Sequence, residues 1–193
     1  MSGHQQRKGG GYSGPRQPGD PRGQRPDSGP LARQGFGGRA PSGSGTPERS
    51  LDEMWPDYLN GGYFEGKDAM GNPALKPEMV ARVRMESLVR AMAPTLTSHQ
   101  ARRFFQHCRA IQARLLAKEA EWSSEVTSFM MLDVAAADAA GKRPPKIPSL
   151  FHDFIRRNVA AVKTREDFLI GFLPHFEALI GFGSSYLKEK ERS

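Results

Sequence analysis

The sequence predicts an all-α protein, a compact helical bundle of four to five helices preceded by a disordered N-terminal tail. Three observations support this fold class. Apolar residues recur at helical spacing after residue 77, residues typical of helix starts and stops bound these segments, and no segment alternates polar and apolar residues as a strand does. The composition also changes near residue 50. We therefore expect a basic tail rich in glycine, proline and arginine over residues 1–50 and a helical domain over residues 51–193.

The first 50 residues contain 13 of the 21 glycines and seven of the 15 prolines, together with eight basic and three acidic residues. Such a segment cannot bury enough apolar surface to offset the entropy lost on ordering, so its composition predicts disorder. Residues 35–39 are typical of Arg/Gly segments that bind nucleic acid weakly. A solvated leader that only aids solubility fits the same composition, and both interpretations stay open.

The remaining composition favours a protein of the cytoplasm. No apolar run follows the basic pair near the N terminus as it would in a signal peptide, and no segment is long and apolar enough to span a bilayer. Cys108 is the only cysteine, which excludes an intramolecular disulfide and suits a reducing compartment. We expect a soluble cytoplasmic protein with no membrane partner.

The first helix is predicted to begin at Pro77, because proline is favoured at the first helical position, and to stop before Pro94. Residues 51–76 mix aromatic residues with turn residues, so little regular structure is expected there. The apolar residues of the helix spread round more than one side, which predicts packing on more than one face.

The second helix is predicted to begin at Ser98, because Thr97 and Gln100 match the pattern of a capping box. At about 100° per residue, one face carries apolar residues: Ala101, Phe104, Cys108, Ile111 and Leu115, with Phe105 beside them. The opposite arc carries Arg102, Arg103, Gln106, His107, Arg109, Arg114 and Lys118. No acidic residue follows on this arc before Glu119, whereas a solvated helix face usually alternates its charges. The arc is therefore a candidate surface for a polyanion, with an ordinary solvated face as the alternative.

The third helix is predicted from about Ser123 to Ala140, where Gly141 provides a C-terminal stop. The loop that follows adds three basic residues: Lys142, Arg143 and Lys146.

A fourth helix is predicted from Ser149, with a buried face of Leu150, Phe151, Phe154, Ile155, Val159 and Val162. Its other face groups His152, Arg156 and Lys163. Arg157 is spaced to pair with Asp153 four residues earlier.

The last helix is predicted to begin at Thr164 and has two acidic residues in its first turn, where the helix dipole favours them. Apolar residues cover nearly its whole circumference, so it lies in the core or is held by a partner. Pro174 is expected to kink it, because proline removes a backbone donor and clashes with the preceding turn.

Five segments occur in the order typical of one protein family: YLNGGYFE, LKPEMV, LTSHQARRFFQHCRAI, MLDVAAADAAGK and TREDFLIGFLPHFEALIGF. Over about residues 58–187 the chain resembles the small helical subunit of type III-A CRISPR effector complexes, the Csm complexes. The block LTSHQARRFF is the most specific of the five, and FEAL near the C terminus is the next.

The resemblance implies a non-catalytic subunit without cofactor or small-molecule substrate, stacked along a guide-RNA filament in antiviral defence. Its partners would be guide RNA and target RNA, the backbone and other subunits of the Csm complex, and further copies of itself. Arg102, Arg103 and Lys142 match basic positions of the family motif. The alanine-rich helix has Asp133, Ala135 and Asp138 where family members often carry lysines and a tyrosine, so RNA contact is not expected from it. Together with the basic residues found above, the predicted RNA-binding set is Arg102, Arg103, Arg109, Arg114, Lys142, Arg143, Arg156 and Lys163.

Other functions fit parts of the sequence. His152-Asp153 is similar to the metal-binding pair of HD phosphohydrolases, but that site needs further ligands at matching positions. His107 and Cys108 fall on opposite faces of their helix and predict no metal site.

The main alternative is a helical scaffold that docks a partner through its apolar C-terminal helix, with RNA binding incidental. A scaffold would tolerate neutral residues at positions 102 and 103, whereas an RNA-contacting subunit would not. Tyr58, Tyr63 and Phe64 either anchor their loop to the core or stack on bases, and anchoring is the expectation.

Overall fold

The computed structural model describes residues 49–188, so nearly all of the tail predicted at residues 1–50 lies outside the described residues. Within this range the fold is all-α, as predicted, with one two-stranded hairpin as the only sheet. A 3-10 helix at Pro77–Val80 and a π-helix at Asp167–Phe172 complete the helical part. The other elements are α1 (Leu51–Met54), β1 (Phe64–Lys67), β2 (Pro73–Leu75), α2 (Arg82–Met92), α3 (Ser98–Leu116), α4 (Trp122–Gly141), α5 (Ser149–Ala161) and α6 (Leu173–Gly183).

The segment before Pro77 is more regular than its sequence predicts. Ser50 and Glu53 form a capping box that starts α1, and β1 and β2 pair antiparallel with an irregularity between them. In the connecting turn Asp68 Oδ1 accepts hydrogen bonds from the backbone N–H groups of Met70 and Asn72, each at 2.8 Å. The expectation of little structure here was wrong, because elements of three or four residues are too short to show a period.

The helix predicted from Pro77 is interrupted. Pro77 begins a 3-10 helix, and α2 begins only at Arg82, after Ala81 adopts an extended conformation. The carbonyl of Met79 accepts a hydrogen bond from His175 Nδ1 of α6. This hydrogen bond ties the 3-10 helix to α6 just before the break at Ala81.

The helices α3, α4 and α5 lie within one or two residues of their predicted positions. Side chains between helices then fix their packing. Trp122 Nε1 of α4 donates to the carbonyl of Lys163 at 3.2 Å, and His152 Nε2 of α5 lies 3.2 Å from Asp133 Oδ1 of α4. No helix in residues 49–188 is long and apolar enough to cross a membrane.

The apolar last helix lies in the core, where α6 packs on α2 and α3. The helix predicted from Thr164 consists of the π-helix followed by α6, and the π-helix ends directly before Leu173 and Pro174. Proline has no N–H to donate, and its ring crowds the carbonyl four residues earlier. A wider turn with bonds from i to i+5 relieves both problems, so the distortion expected from Pro174 takes the form of a π-helix. Phe168, Phe172 and Phe176 are all fully buried along this helix.

A buried polar network connects the segment between α1 and β1 to α5 and α6. Tyr58 Oη lies 2.6 Å from His175 Nε2 and accepts from Asn158 Nδ2 at 2.6 Å. Tyr63 Oη donates to Asn158 Oδ1 at 2.8 Å. Burial raises the pKa of both tyrosines and lowers the pKa of His175 to about 4. Tyr58 and Tyr63 therefore anchor their loop and are not exposed for base stacking.

Candidate nucleic-acid interface

The basic surface predicted on the second helix is built by α3. Its capping box is present, with Thr97 Oγ1 accepting from the N–H of Gln100 at 3.2 Å and Gln100 Oε1 accepting from the N–H of Thr97 at 2.8 Å. Four of the five predicted core residues are buried, namely Ala101, Cys108, Ile111 and Leu115. Because that face is buried, Arg102, Arg103 and Arg109 lie exposed on the other side. In residues 49–188 none of these three arginines has a carboxylate within ion-pair distance.

Phe104 and Phe105 of α3 pack against two different helices. Both rings are half-buried and pack against the core, on the apolar side of the helix that the sequence predicts. Phe104 packs edge-on against Phe151 of α5 with centroids 5.3 Å apart, and Phe105 packs against Phe176 of α6 with centroids 5.4 Å apart. The Arg109 guanidinium lies 5.9 Å from the centre of the Phe105 ring, a cation–π contact that holds it on the α6 side.

Arg114 is paired across the helix interface. Its Nε and Nη2 donate to the two carboxylate oxygens of Glu125 in α4, at 2.7 and 2.6 Å. These hydrogen bonds hold the pKa of Glu125 below its ordinary value. The expectation of an arc without acidic partners is therefore wrong at Arg114, because its partner comes from a different helix. The ion pair of Arg114 connects α3 to α4, so its guanidinium is already engaged within the protein.

A groove runs between α3, α4 and the loop that follows α4, and it encloses about 460 Å³. Two predicted residues, Arg103 and Lys142, line it from opposite sides. Lys142 Nζ is 2.6 Å from the carboxylate of Asp138 one helical turn earlier. Arg143 is exposed in the same loop but does not line the groove. The α3 surface and the loop after α4 thus border the same groove.

The basic residues of α5 are placed apart from this groove. Arg156 forms an ion pair with Asp153, and Lys163 is exposed just beyond the helix. Arg157 pairs with Asp153 as predicted and also forms a bidentate ion pair with Asp52 of α1. The predicted grouping of His152 with Arg156 is divided, because Arg156 pairs with Asp153 whereas His152 lies near Asp133 of α4.

The predicted metal-binding alternatives have other structural roles. The carboxylate of Asp153 is held by Arg156 and Arg157. In the part of the chain that the structure describes, no group of three or more histidine, cysteine, aspartate or glutamate residues is placed to hold a metal ion. Cys108 is buried, and burial raises the pKa of its thiol to about 12. His107 Nε2 instead contacts the carbonyl of Ser128 at 2.8 Å.

Comparison with known families decides the identity of this helical domain. A family model described as Csm2 Type III-A matches residues 80–189, which is more than half of the chain. The chain belongs to the Csm2 type III-A family. This Csm2-family protein is a small subunit of the type III-A CRISPR Csm complex, an assembly of other subunits and RNA. No curated protein and no solved structure matches the chain.

Lys146 and His99 are among the groove residues of this Csm2-family chain that the predicted set does not contain. Lys146 lies in the loop after α4, and His99 lies in the first turn of α3. Gln100 Nε2 donates to the carbonyl of Lys146 and so fixes that loop against the start of α3. The nearness of Lys146 to Lys142 in the sequence was the available signal, whereas no local pattern singled out His99.

Proposed function

We propose that this Csm2-family subunit is non-catalytic and contacts the backbone of the guide–target RNA duplex through the exposed arginines of α3. In this proposal further copies stack along the guide-RNA filament in the cytoplasm, and other subunits carry out cleavage in antiviral defence. The observation that carries the proposal is that Arg102, Arg103 and Arg109 are exposed and have no carboxylate partner within residues 49–188. The family match supports the setting in an RNA-containing complex.

The physical basis is the release of counterions from RNA. Exposed guanidinium groups without carboxylate partners gain free energy by neutralising phosphates, and this gain depends on salt and not on base identity. Arg114, Lys142 and Arg156 already have carboxylate partners, so they contribute less to this surface. Contacts that ignore sequence suit a complex in which base pairing with the guide supplies specificity.

The structure does not favour a scaffold that docks partners through its C-terminal helix. Phe172, Phe176 and Leu179 of that helix are buried within this chain. A partner could reach them only if the core opened. The apolar character of the last helix is therefore explained by its central position.

Replacement of Arg102, Arg103 and Arg109 by alanine tests the proposal. We expect the affinity for RNA duplexes of unrelated sequence to fall alike, with the salt slope reduced by about one for each lost phosphate contact. The melting temperature should hardly change, because each exposed substitution moves stability by about 0.5 kcal/mol or less. Fluorescence anisotropy over a salt series and thermal unfolding provide the two measurements.

A matched control removes the same three positive charges from α2, by replacing Arg82, Arg84 and Arg90 with alanine. These arginines are exposed on another helix, where Arg82 and Arg90 pair with Glu86, so the control matches the lost charge and differs in its carboxylate partner. The control should bind RNA nearly as tightly as the parent. Equal losses in both triple variants would show that only net charge matters, and an α3 variant that binds as tightly as the parent would overturn the proposal.

A further inference from the structure

The groove between α3 and α4 combines an apolar floor with a basic rim. Phe104, Met131, Leu132 and Ile147 supply apolar lining, and Met131 is 51% exposed although it is a large apolar residue. The rim carries three cations, Arg103, Lys142 and Lys146, and one carboxylate, Asp138. Its volume of about 460 Å³ falls within the range of about 300–1,000 Å³ that is typical of ligand pockets.

We propose that this groove binds one unpaired nucleotide of RNA, with the base on the apolar floor and its phosphate at the basic rim. The inference rests on the proposed function, because it assigns a second mode of contact to the same RNA-binding surface. Sites for single-stranded nucleic acid combine apolar or aromatic platforms for bases with cations for the backbone. A duplex backbone offers no exposed base face and so has no use for the apolar floor.

The groove is held open by contacts within the chain. The Gln100 side chain uses both of its polar ends, accepting from the backbone of Thr97 and donating to the carbonyl of Lys146. His107 on the groove wall is fixed by the Ser128 carbonyl. A site formed before its ligand arrives loses little conformational entropy on binding.

The charge distribution locates the phosphate. Lys142 is paired with Asp138, whereas Arg103 and Lys146 have no carboxylate partner within residues 49–188. A phosphate is therefore expected at Arg103 and Lys146 and not at Lys142, whose charge Asp138 already neutralises. Arg103 also belongs to the exposed arginines of α3, so the groove continues the proposed duplex surface. This continuity favours RNA over an acidic peptide as the occupant.

Filling the groove without changing its charge provides the test. Ala135 is exposed, lines the groove and lies on α4, and Ala135→Phe adds a ring there. The matched control is Ala137→Phe, which adds the same ring at an exposed position of α4 outside the groove lining. Anisotropy is measured with a single-stranded oligouridylate and with a fully paired RNA duplex. We expect Ala135→Phe to weaken oligouridylate binding about tenfold and to leave duplex binding unchanged, because one base contact is lost. The control should change neither.

A second measurement uses the parent protein, so it does not depend on how the variant folds. An abasic oligomer of equal length carries the same phosphates without bases, and it should bind about tenfold more weakly than oligouridylate. Equal binding of the two oligomers, or unchanged oligouridylate binding by Ala135→Phe, would overturn the groove assignment. Retained duplex binding in those cases would leave the proposed function standing, whereas a parent that binds neither RNA would defeat both. The same assays with a glutamate-rich peptide test the alternative occupant. If this peptide binds the parent and not Ala135→Phe, and oligouridylate does not bind in the groove, the groove is a peptide site and the proposal is overturned.

Discussion

His175 has no solvent exposure, and its two ring nitrogens contact groups of opposite character. The Met79 carbonyl accepts only, so Nδ1 carries the proton, and Nε2 of the neutral ring then accepts from the Tyr58 hydroxyl. The Tyr58 oxygen in turn accepts from Asn158 Nδ2. The direction of each hydrogen bond in this network is therefore fixed. A second proton on the imidazole would place the N–H of Nε2 opposite the O–H of Tyr58, so two donors would face each other.

Protonation of His175 predicts a loss of stability at mildly acidic pH. Burial lowers its pKa to about 4 in the folded protein, against about 6.5 in the unfolded chain. The unfolded state binds more protons between these values, so stability is complete above about pH 6.5 and falls as the pH is lowered. At about 1.4 kcal/mol per pH unit, we expect a loss of about 2 kcal/mol between pH 6.5 and pH 5. Urea unfolding at a series of pH values measures it.

The variant His175→Gln, which cannot titrate, should flatten this pH dependence even if it is less stable overall. The control His99→Gln changes an exposed histidine and should keep the dependence of the parent. A parent whose unfolding free energy stays constant from pH 7 to pH 5 would contradict the prediction. Measurement above pH 5 keeps the effect apart from the carboxylates, which titrate at lower pH.

The π-helix packs closely against Tyr63 at Gly171. A Cβ atom at this position would lie 2.8 Å from Cγ of Tyr63, which is fully buried. We expect Gly171→Ala to lower the free energy of unfolding by about 1–3 kcal/mol, because the aromatic ring cannot move without opening the core. Chemical denaturation of the variant measures the change.

Gly181 provides the matched control in α6. A Cβ atom there meets nothing within 4 Å. Since alanine is favoured over glycine in a helix by about 0.5–1 kcal/mol, Gly181→Ala should stabilise the protein slightly. Equal effects of the two substitutions would show that Tyr63 does not pack closely on the last helix.

The long elements could be predicted from the sequence, and the short ones could not. Thr97 and Gln100 located the start of α3 because a capping box is a local signal. The hairpin and the break at Ala81 depend on contacts with distant residues, such as the hydrogen bond from His175 to the Met79 carbonyl. Pro174 signalled a distortion, but the choice of a π-helix depends on how the surrounding core packs.

The candidate site divides in the same way. The helical wheel of α3 places Arg102 and Arg103 on the surface, because the positions of their buried neighbours follow from the helical period. The partner of Arg114 is Glu125, eleven residues later on another helix, and no sequence pattern links them. Asp138 and Lys142 are one helical turn apart, so a local sequence pattern does predict their ion pair.

At the scale of the whole molecule, the family match predicts that the chain works inside an assembly. Affinity capture of a tagged copy from its native host should recover guide RNA and other Csm subunits together with the protein. Capture after nuclease treatment, and capture of the α3 triple-alanine variant, serve as comparisons. We expect less RNA per subunit with that variant, because phosphate contacts are lost. Recovery of the protein without RNA or other subunits would contradict the prediction.

The π-helix before Pro174 also affects how the chain tolerates a change in length. One residue removed from an ordinary core helix turns everything beyond it by about 100°, which would bring buried residues to the surface. A π-helix already holds a surplus residue within its wide turn, and the rotation can be absorbed there. A deletion within residues 167–172, combined with replacement of Pro174, would therefore shorten the last helix while Phe176 and Leu179 keep their orientation.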